Sequence, residues 1–132
     1  MRWLIAAATF TLLGQPVVAS AQQGFQLPSG NVLCEVMENA LRCEIIEFRF
    51  ARPAAPKDCD SDWGHAYGIA ARGRAQVLCA GDLVVNRGLP RLNYGQRWDG
   101  TGVTCQAERS GLRCVNAEGG GLELSRSRLG LF

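Results

Sequence analysis

The chain is predicted to be all-β: a small disulfide-stabilised sandwich or barrel built from short antiparallel hairpins, two of them similar and cystine-clasped. Three observations predict this. Six cysteines in 132 residues include two pairs with the same separation. Around both pairs the polarity alternates with the two-residue period of a strand. Sixteen glycines punctuate the chain, and beyond the N-terminal segment no long helical pattern survives.

Residues 1–21 read as a signal peptide. Arg2 supplies the positive start, the stretch from Trp3 to Leu13 is uncharged and mostly apolar, and Pro16 breaks the run. Ala19-Ser20-Ala21 then offers small residues for cleavage. An apolar stretch of about 11 residues falls short of the ~20 that cross a bilayer. Cleavage after Ala21 is therefore expected, with no membrane anchor left behind. No cysteine lies near the cut for lipid attachment, since the first is Cys34.

Residues 22–132 are expected to form a single disulfide-rich β domain with 13 basic and 12 acidic side chains. So even a balance lacks the footprint of a nucleic-acid binder, and 47 % hydrophobic against 20 % charged residues excludes disorder. His65 is the only histidine and no Cys-x-x-Cys pair occurs, so zinc layouts are excluded and no cofactor is expected. Cys34, Cys43, Cys59, Cys79, Cys105 and Cys114 are instead expected as three cystines of an oxidising compartment, the periplasm or the medium.

From Gln22 the chain leads through Phe25 into the turn Pro28-Ser29-Gly30-Asn31. The first hairpin follows. With Cys34 opposite Cys43, Val36 faces Leu41 and Val32 faces Ile45, all on one side, while Glu35 opposes Arg42 on the other as a cross-strand charge pair. A one-residue slip would send the apolar set into water. Glu38-Asn39 occupies the tip, and Asn tolerates the positive φ of a tight turn.

Phe48 to Pro56 carries two closely spaced prolines near its end and reads as a connector. His65 to Ala71 and Ala75 to Leu78, joined at Arg72-Gly73-Arg74, suggest a middle hairpin that brings Cys59 to Cys79. A helix over Ala66 to Val77 is the alternative, weakened by Gly64, Gly68 and Gly73 at ~1 kcal/mol each relative to Ala. Asp82 to Asn86 reads as a short apolar strand, followed by a turn at Gly88-Leu89-Pro90.

Tyr94-Gly95 and Asp99-Gly100-Thr101-Gly102 punctuate the approach to the second hairpin. There Val103-x-Cys105 and Leu112-Arg113-Cys114 repeat the residues of Val32-x-Cys34 and Leu41-Arg42-Cys43. Ala107 faces Leu112 inside, Gln106 and Arg113 lie outside, and Arg109-Ser110-Gly111 turns the tip. Gly119-Gly120-Gly121 then precedes a last strand, Leu122 to Ser125. Loop-closure entropy gives each cystine ~3 kcal/mol, against ~5–15 kcal/mol for the whole stability of a small domain.

Pro28-Ser29-Gly30-Asn31-x-x-Cys34, Arg42-Cys43, Cys59, Asp62-Trp63-Gly64 and Cys79-x-Gly81-Asp82 occur in this order. Leu92-x-Tyr94-Gly95, Cys105, Gly111-Leu112-x-Cys114 and Leu124-Ser125-Arg126 follow. The set, over about residues 25–132, resembles a family of small exported bacterial proteins of unknown function. The resemblance implies export and a disulfide-rich β domain, and it implies no activity. The chain departs from that pattern at Leu83, after Gly-Asp, and at Gly119-Gly120-Gly121-Leu122, where the family carries a Gly-His-Gly-Phe segment.

Asp58, Asp60 and Asp62 alternate as calcium-binding carboxylates can, but Trp63 and Ile69 stand where a calcium loop needs Gly and Glu. A solvated acidic turn is the plainer reading. His65 and Asp62 are the residues on which a small hydrolase would rest, although no Gly-x-Ser-x-Gly elbow accompanies them. Trp63, Tyr94 and Trp98 lie in polar or Gly-rich stretches and are the candidate ligand-binding residues, since aromatics there can stack on a sugar or anchor a protein. Arginines recur between them. The function expected is an exported, non-enzymatic binding or inhibitory module of the cell envelope whose partner is an envelope polymer or a protein. A structural envelope component without a ligand and the His65–Asp62 hydrolase are the alternatives.

Overall fold

Both cysteine pairs nine residues apart close across adjacent strands. The computed structural model describes residues 7–9 and 23–132; apart from residues 7–9, the expected leader lies outside the described residues. Ten strands follow one another: β1 (Gly24–Gln26), β2 (Val32–Met37), β3 (Ala40–Ile45), β4 (Trp63–Ala70), β5 (Gln76–Cys79), β6 (Arg97–Gly100), β7 (Val103–Glu108), β8 (Gly111–Asn116), β9 (Gly121–Leu124) and β10 (Leu129–Leu131). The first five form one antiparallel meander, sheet A, and the last five a second, sheet B. The two bury one shared core, so the fold is a two-layer all-β arrangement.

The registers of the two sheets match. In sheet A the row Phe25, Cys34, Cys43, Tyr67 and Val77 runs directly across all five strands. In sheet B the corresponding row is Trp98, Cys105, Cys114, Leu122 and Leu131. The cystines Cys34–Cys43 and Cys105–Cys114 each hold Cα atoms 4.0 Å apart, and their sulfurs lie in the core. The rings of Phe25 on β1 and Trp98 on β6, each an edge strand of its sheet, meet at 5.4 Å. The repeated cysteine pattern is thus the visible part of a repeated five-strand sheet.

Cys59–Cys79 ties the connector to the end of β5, and β4 with β5 is the middle hairpin. Asn116, buried at the end of β8, stitches the sheets together. Its amide donates to the carbonyls of Ala70 (3.1 Å) and Gly73 (2.8 Å), while its Oδ1 accepts from the Glu118 and Gly120 N–H groups. Four hydrogen bonds satisfy this amide, as a buried polar side chain requires.

Four expectations are corrected. Asp82 to Asn86 is not a strand: it belongs to a strap, residues 80–92, that crosses the outer face of sheet A. Arg42 stands opposite Glu35 in register, but its guanidinium pairs with Glu44 at 3.0 Å and donates to the Asp82 carbonyl at 3.2 Å, while Glu35 accepts from Asn86. The positive φ of the first hairpin tip falls on Glu38, at 57°. Trp98 is no loop residue but part of β6, 6 % exposed; Arg97 and Asp99 pair on the outer side at 2.9 Å, which turns the indole between them inward.

Candidate functional site

The three aromatic candidates do not converge. Trp98 is a core side chain in contact with Phe25. Trp63, half-buried at the start of β4, donates its indole N–H to the Pro53 carbonyl at 2.9 Å and lies under the Arg52 guanidinium at 4.4 Å. Both its polar atom and one ring face are thereby engaged by the connector. Tyr94 alone presents a large surface, 43 % exposed, with Arg109 over the ring at 5.3 Å.

The His65–Asp62 pair is likewise committed elsewhere. Arg52 Nη1 lies 2.7 Å from Asp62 Oδ1. The Trp63 backbone N–H, followed by the Arg52 guanidinium, holds this carboxyl below its usual range. His65 Nδ1 is 2.8 Å from the Ile45 carbonyl, an acceptor only, so this nitrogen carries the proton. The ring also packs edge-on against Phe48 at 4.9 Å, which stacks on Phe50 at 4.4 Å. Connector and strand are bound together by this cluster. Among the described residues no group of three or more His, Cys, Asp or Glu side chains converges on a metal position.

What the fold does assemble is a groove at one end of the sandwich, where the β7–β8 tip and the end of β9 face the β1–β2 turn. Leu27, Val32 and Leu124 contribute its apolar lining, and Ser29, Asn31 and Ser125 its small polar groups. Tyr94, Arg109 and Arg126 complete the walls around a cavity of about 170 Å³. A second cavity of about 170 Å³ adjoins it through the shared residues Glu108, Gly111, Leu124 and Ser125, and adds Ser110, Arg113 and Arg128. The two cavities lie side by side and together form a shallow channel bordered by these shared residues.

Local chemistry explains its shape. Gly111 sits at φ 136°, and a Cβ there would come within 2.7 Å of the Leu124 carbonyl oxygen and 2.8 Å of the Ser125 Cβ. Only glycine lets the β7–β8 tip close down so tightly on β9. On the facing side Asn31 ties the β1–β2 turn to the connector: its amide donates to the Glu47 carbonyl at 2.9 Å, and its Oδ1 accepts from the Glu47 N–H at 2.8 Å. Arg91 donates to the Pro28 carbonyl at 3.2 Å and braces the same turn. Arg126 pairs with Glu47 at 3.2 Å, whereas Arg113 and Arg128 share Glu123. Among the described residues Arg109 has no carboxylate within ion-pair distance.

Of the residues singled out from sequence only Tyr94 lines the groove. Ser29, Arg109, Ser125 and Arg126 were missed as site residues because four chain segments meet there that are far apart in sequence. A signal was present nonetheless: the segments Pro28–Asn31, Tyr94-Gly95, Gly111-Leu112 and Leu124–Arg126, quoted for their family resemblance, all contribute to this one place.

The model of a family of unknown function, DUF6636, matches residues 7–132. No curated protein and no solved structure matches the chain. Three disulfides fit an oxidising environment outside the cytosol.

Proposed function

The chain belongs to DUF6636, a family whose function is not known, and within that frame we propose that it is an exported, non-enzymatic binding module whose partner is a polymer of the cell envelope. One observation carries the reading: the channel lined by Tyr94, Arg109 and Arg126 is open, while the other aromatic and catalytic candidates are occupied within the protein. Two cystine-stapled sheets hold the channel walls, so little ordering cost falls on binding. An exposed aromatic ring beside cationic forks and short polar side chains recognises ring-bearing polar chains through stacking and hydrogen bonds together. The Asp62–Arg52 and His65–Ile45 contacts favour binding over hydrolysis, because a base and its orienting acid must touch each other.

Co-sedimentation with protein-free envelope polymer tests this. Wild type and His65→Ala should both pellet with the polymer, and the Tyr94→Ala/Arg109→Ala variant should stay in solution. Equal pelleting of the double variant would remove the groove from the proposal. Release of sugar products that stops on His65→Ala would restore the hydrolase.

A further inference from the structure

We infer that the groove selects a glycan chain carrying acidic groups, with Arg109 as the residue that reads the charge and Arg126 as its second anion contact; this rests on the binding reading above and names the ligand class. The matching plan of the two sheets shows how the two ends differ at the place of the groove. The place in sheet A that corresponds to Arg126, two residues after β9, is Ala71, just after β4. The turn corresponding to Pro28–Asn31 is Thr101-Gly102. There the two meet: Gly102 stands at φ 73°, and a Cβ on it would lie 2.5 Å from the Ala71 Cβ. At that end Gly102 and Ala71 meet, whereas at the other a cavity separates Ser125 and Arg126 from the β1–β2 turn.

The lining decides the chemistry. Arg109, without an ion-pair partner among the described residues, lies over an exposed ring. The Arg126–Glu47 pair is half-exposed on the arginine side and more so on the glutamate side, so an incoming anion can replace Glu47 at little cost, since solvent screens such surface pairs. Guanidinium forks also span the paired oxygens of carboxylates and of neighbouring hydroxyls. Two cavities of about 170 Å³ side by side suit consecutive rings of a chain rather than one small anion.

An acidic peptide fits less well. A peptide captured as an added strand needs an open strand edge, and β2, β7, β8 and β9, which line the channel, are each paired on both sides. The turn after β9 is closed on itself as well, with Ser125 and Arg128 exchanging both backbone hydrogen bonds. Recognition here must pass through side chains.

The test is calorimetric titration of the oxidised protein with oligogalacturonate, its fully methyl-esterified form, polyglutamate and inorganic phosphate. Oligogalacturonate should bind at least tenfold more tightly than the ester, and rising salt should weaken it. Arg109→Gln should lose about tenfold for the acid and little for the ester; Arg126→Gln should lose less, and Tyr94→Ala should weaken both. Equal affinity for acid and ester, with loss in Tyr94→Ala, would overturn the acidic class and leave the groove standing. Preference for polyglutamate or for phosphate alone, or no binding by wild type, would also overturn the class. Binding unchanged in all three variants would overturn the groove itself, and with it the reading on which the class rests.

Discussion

Cys43 and Cys114 occupy matching places in the two sheets, and each is followed by a residue that points outward: Glu44 in sheet A, Val115 in sheet B. From there the sheets diverge. Glu44 is 4 % exposed; its carboxylate takes Arg42 at 3.0 Å and the backbone N–H groups of Val84 (2.9 Å) and Val85 (3.2 Å). The strap lies across it, buries Leu33, and is fastened again where Gln26 donates to the carbonyls of Arg87 (3.0 Å) and Leu89 (2.6 Å). Among the described residues no such strap crosses sheet B. Its outer face carries the exposed networks Arg97–Asp99–Thr104 and Arg113–Glu123–Arg128. The inner faces agree because both must fill one core; the outer faces differ because one charge acquired backbone donors and left water.

The largest effects should be the ones the sheets share. Replacing Cys34 and Cys43 together by Ala should cost about 2–5 kcal/mol, and the Cys105/Cys114 pair should cost a similar amount in chemical denaturation. A loss confined to one pair would break the equivalence of the sheets. Next comes the difference. Glu44→Ala leaves two N–H groups and a guanidinium without their acceptor and should cost about 2–3 kcal/mol, with faster hydrogen exchange at Val84 and Val85. Val115→Ala, at the matching place, should cost about 1 kcal/mol or less. Arg113→Ala removes an exposed bridge and a contact with the Phe132 ring and should cost at most about 1 kcal/mol.

The smallest effects are those of pH. Arg97, and after it Thr104, hold the Asp99 carboxyl below its ordinary 3.8, as Trp63 N–H and Arg52 do for Asp62. Groups lowered in this way add stability that is present above the unfolded value and lost as pH falls through the folded one. Asp99→Asn should therefore flatten the acid limb of a stability curve below about pH 3.8. At the other limit burial pushes the Tyr67 hydroxyl up to about 12. Its contribution should be complete below pH 10 and should fade as pH rises toward 12, which the appearance of phenolate absorbance reports.

The two cystine-clasped hairpins were legible in the sequence because a two-residue polarity period and a nine-residue cysteine spacing are local properties. The middle hairpin was legible only from the Arg72-Gly73-Arg74 turn between two short runs, which left a helix open as the alternative. The strap was not: Leu83-Val84-Val85 has the composition of a strand, and only Glu44, some 40 residues away in sequence, turns its N–H groups away from a sheet. β1 and β10 have three residues each, too few to show a period. β6 was concealed by Asp99-Gly100, although Arg97-Trp98-Asp99 does alternate out, in, out. The groove was the least legible feature, since no short stretch of chain contains it and only the stacking of two meanders brings Ser29 to Ser125.

Amide chemical shifts of the oxidised protein, followed during titration with protein-free envelope polymer, locate the binding face. Perturbations are expected around Ser29, Tyr94, Arg109, Ser125 and Arg126. Perturbations centred instead on the sheet A face, around Leu78, Val84 and Val85, would contradict the proposed groove.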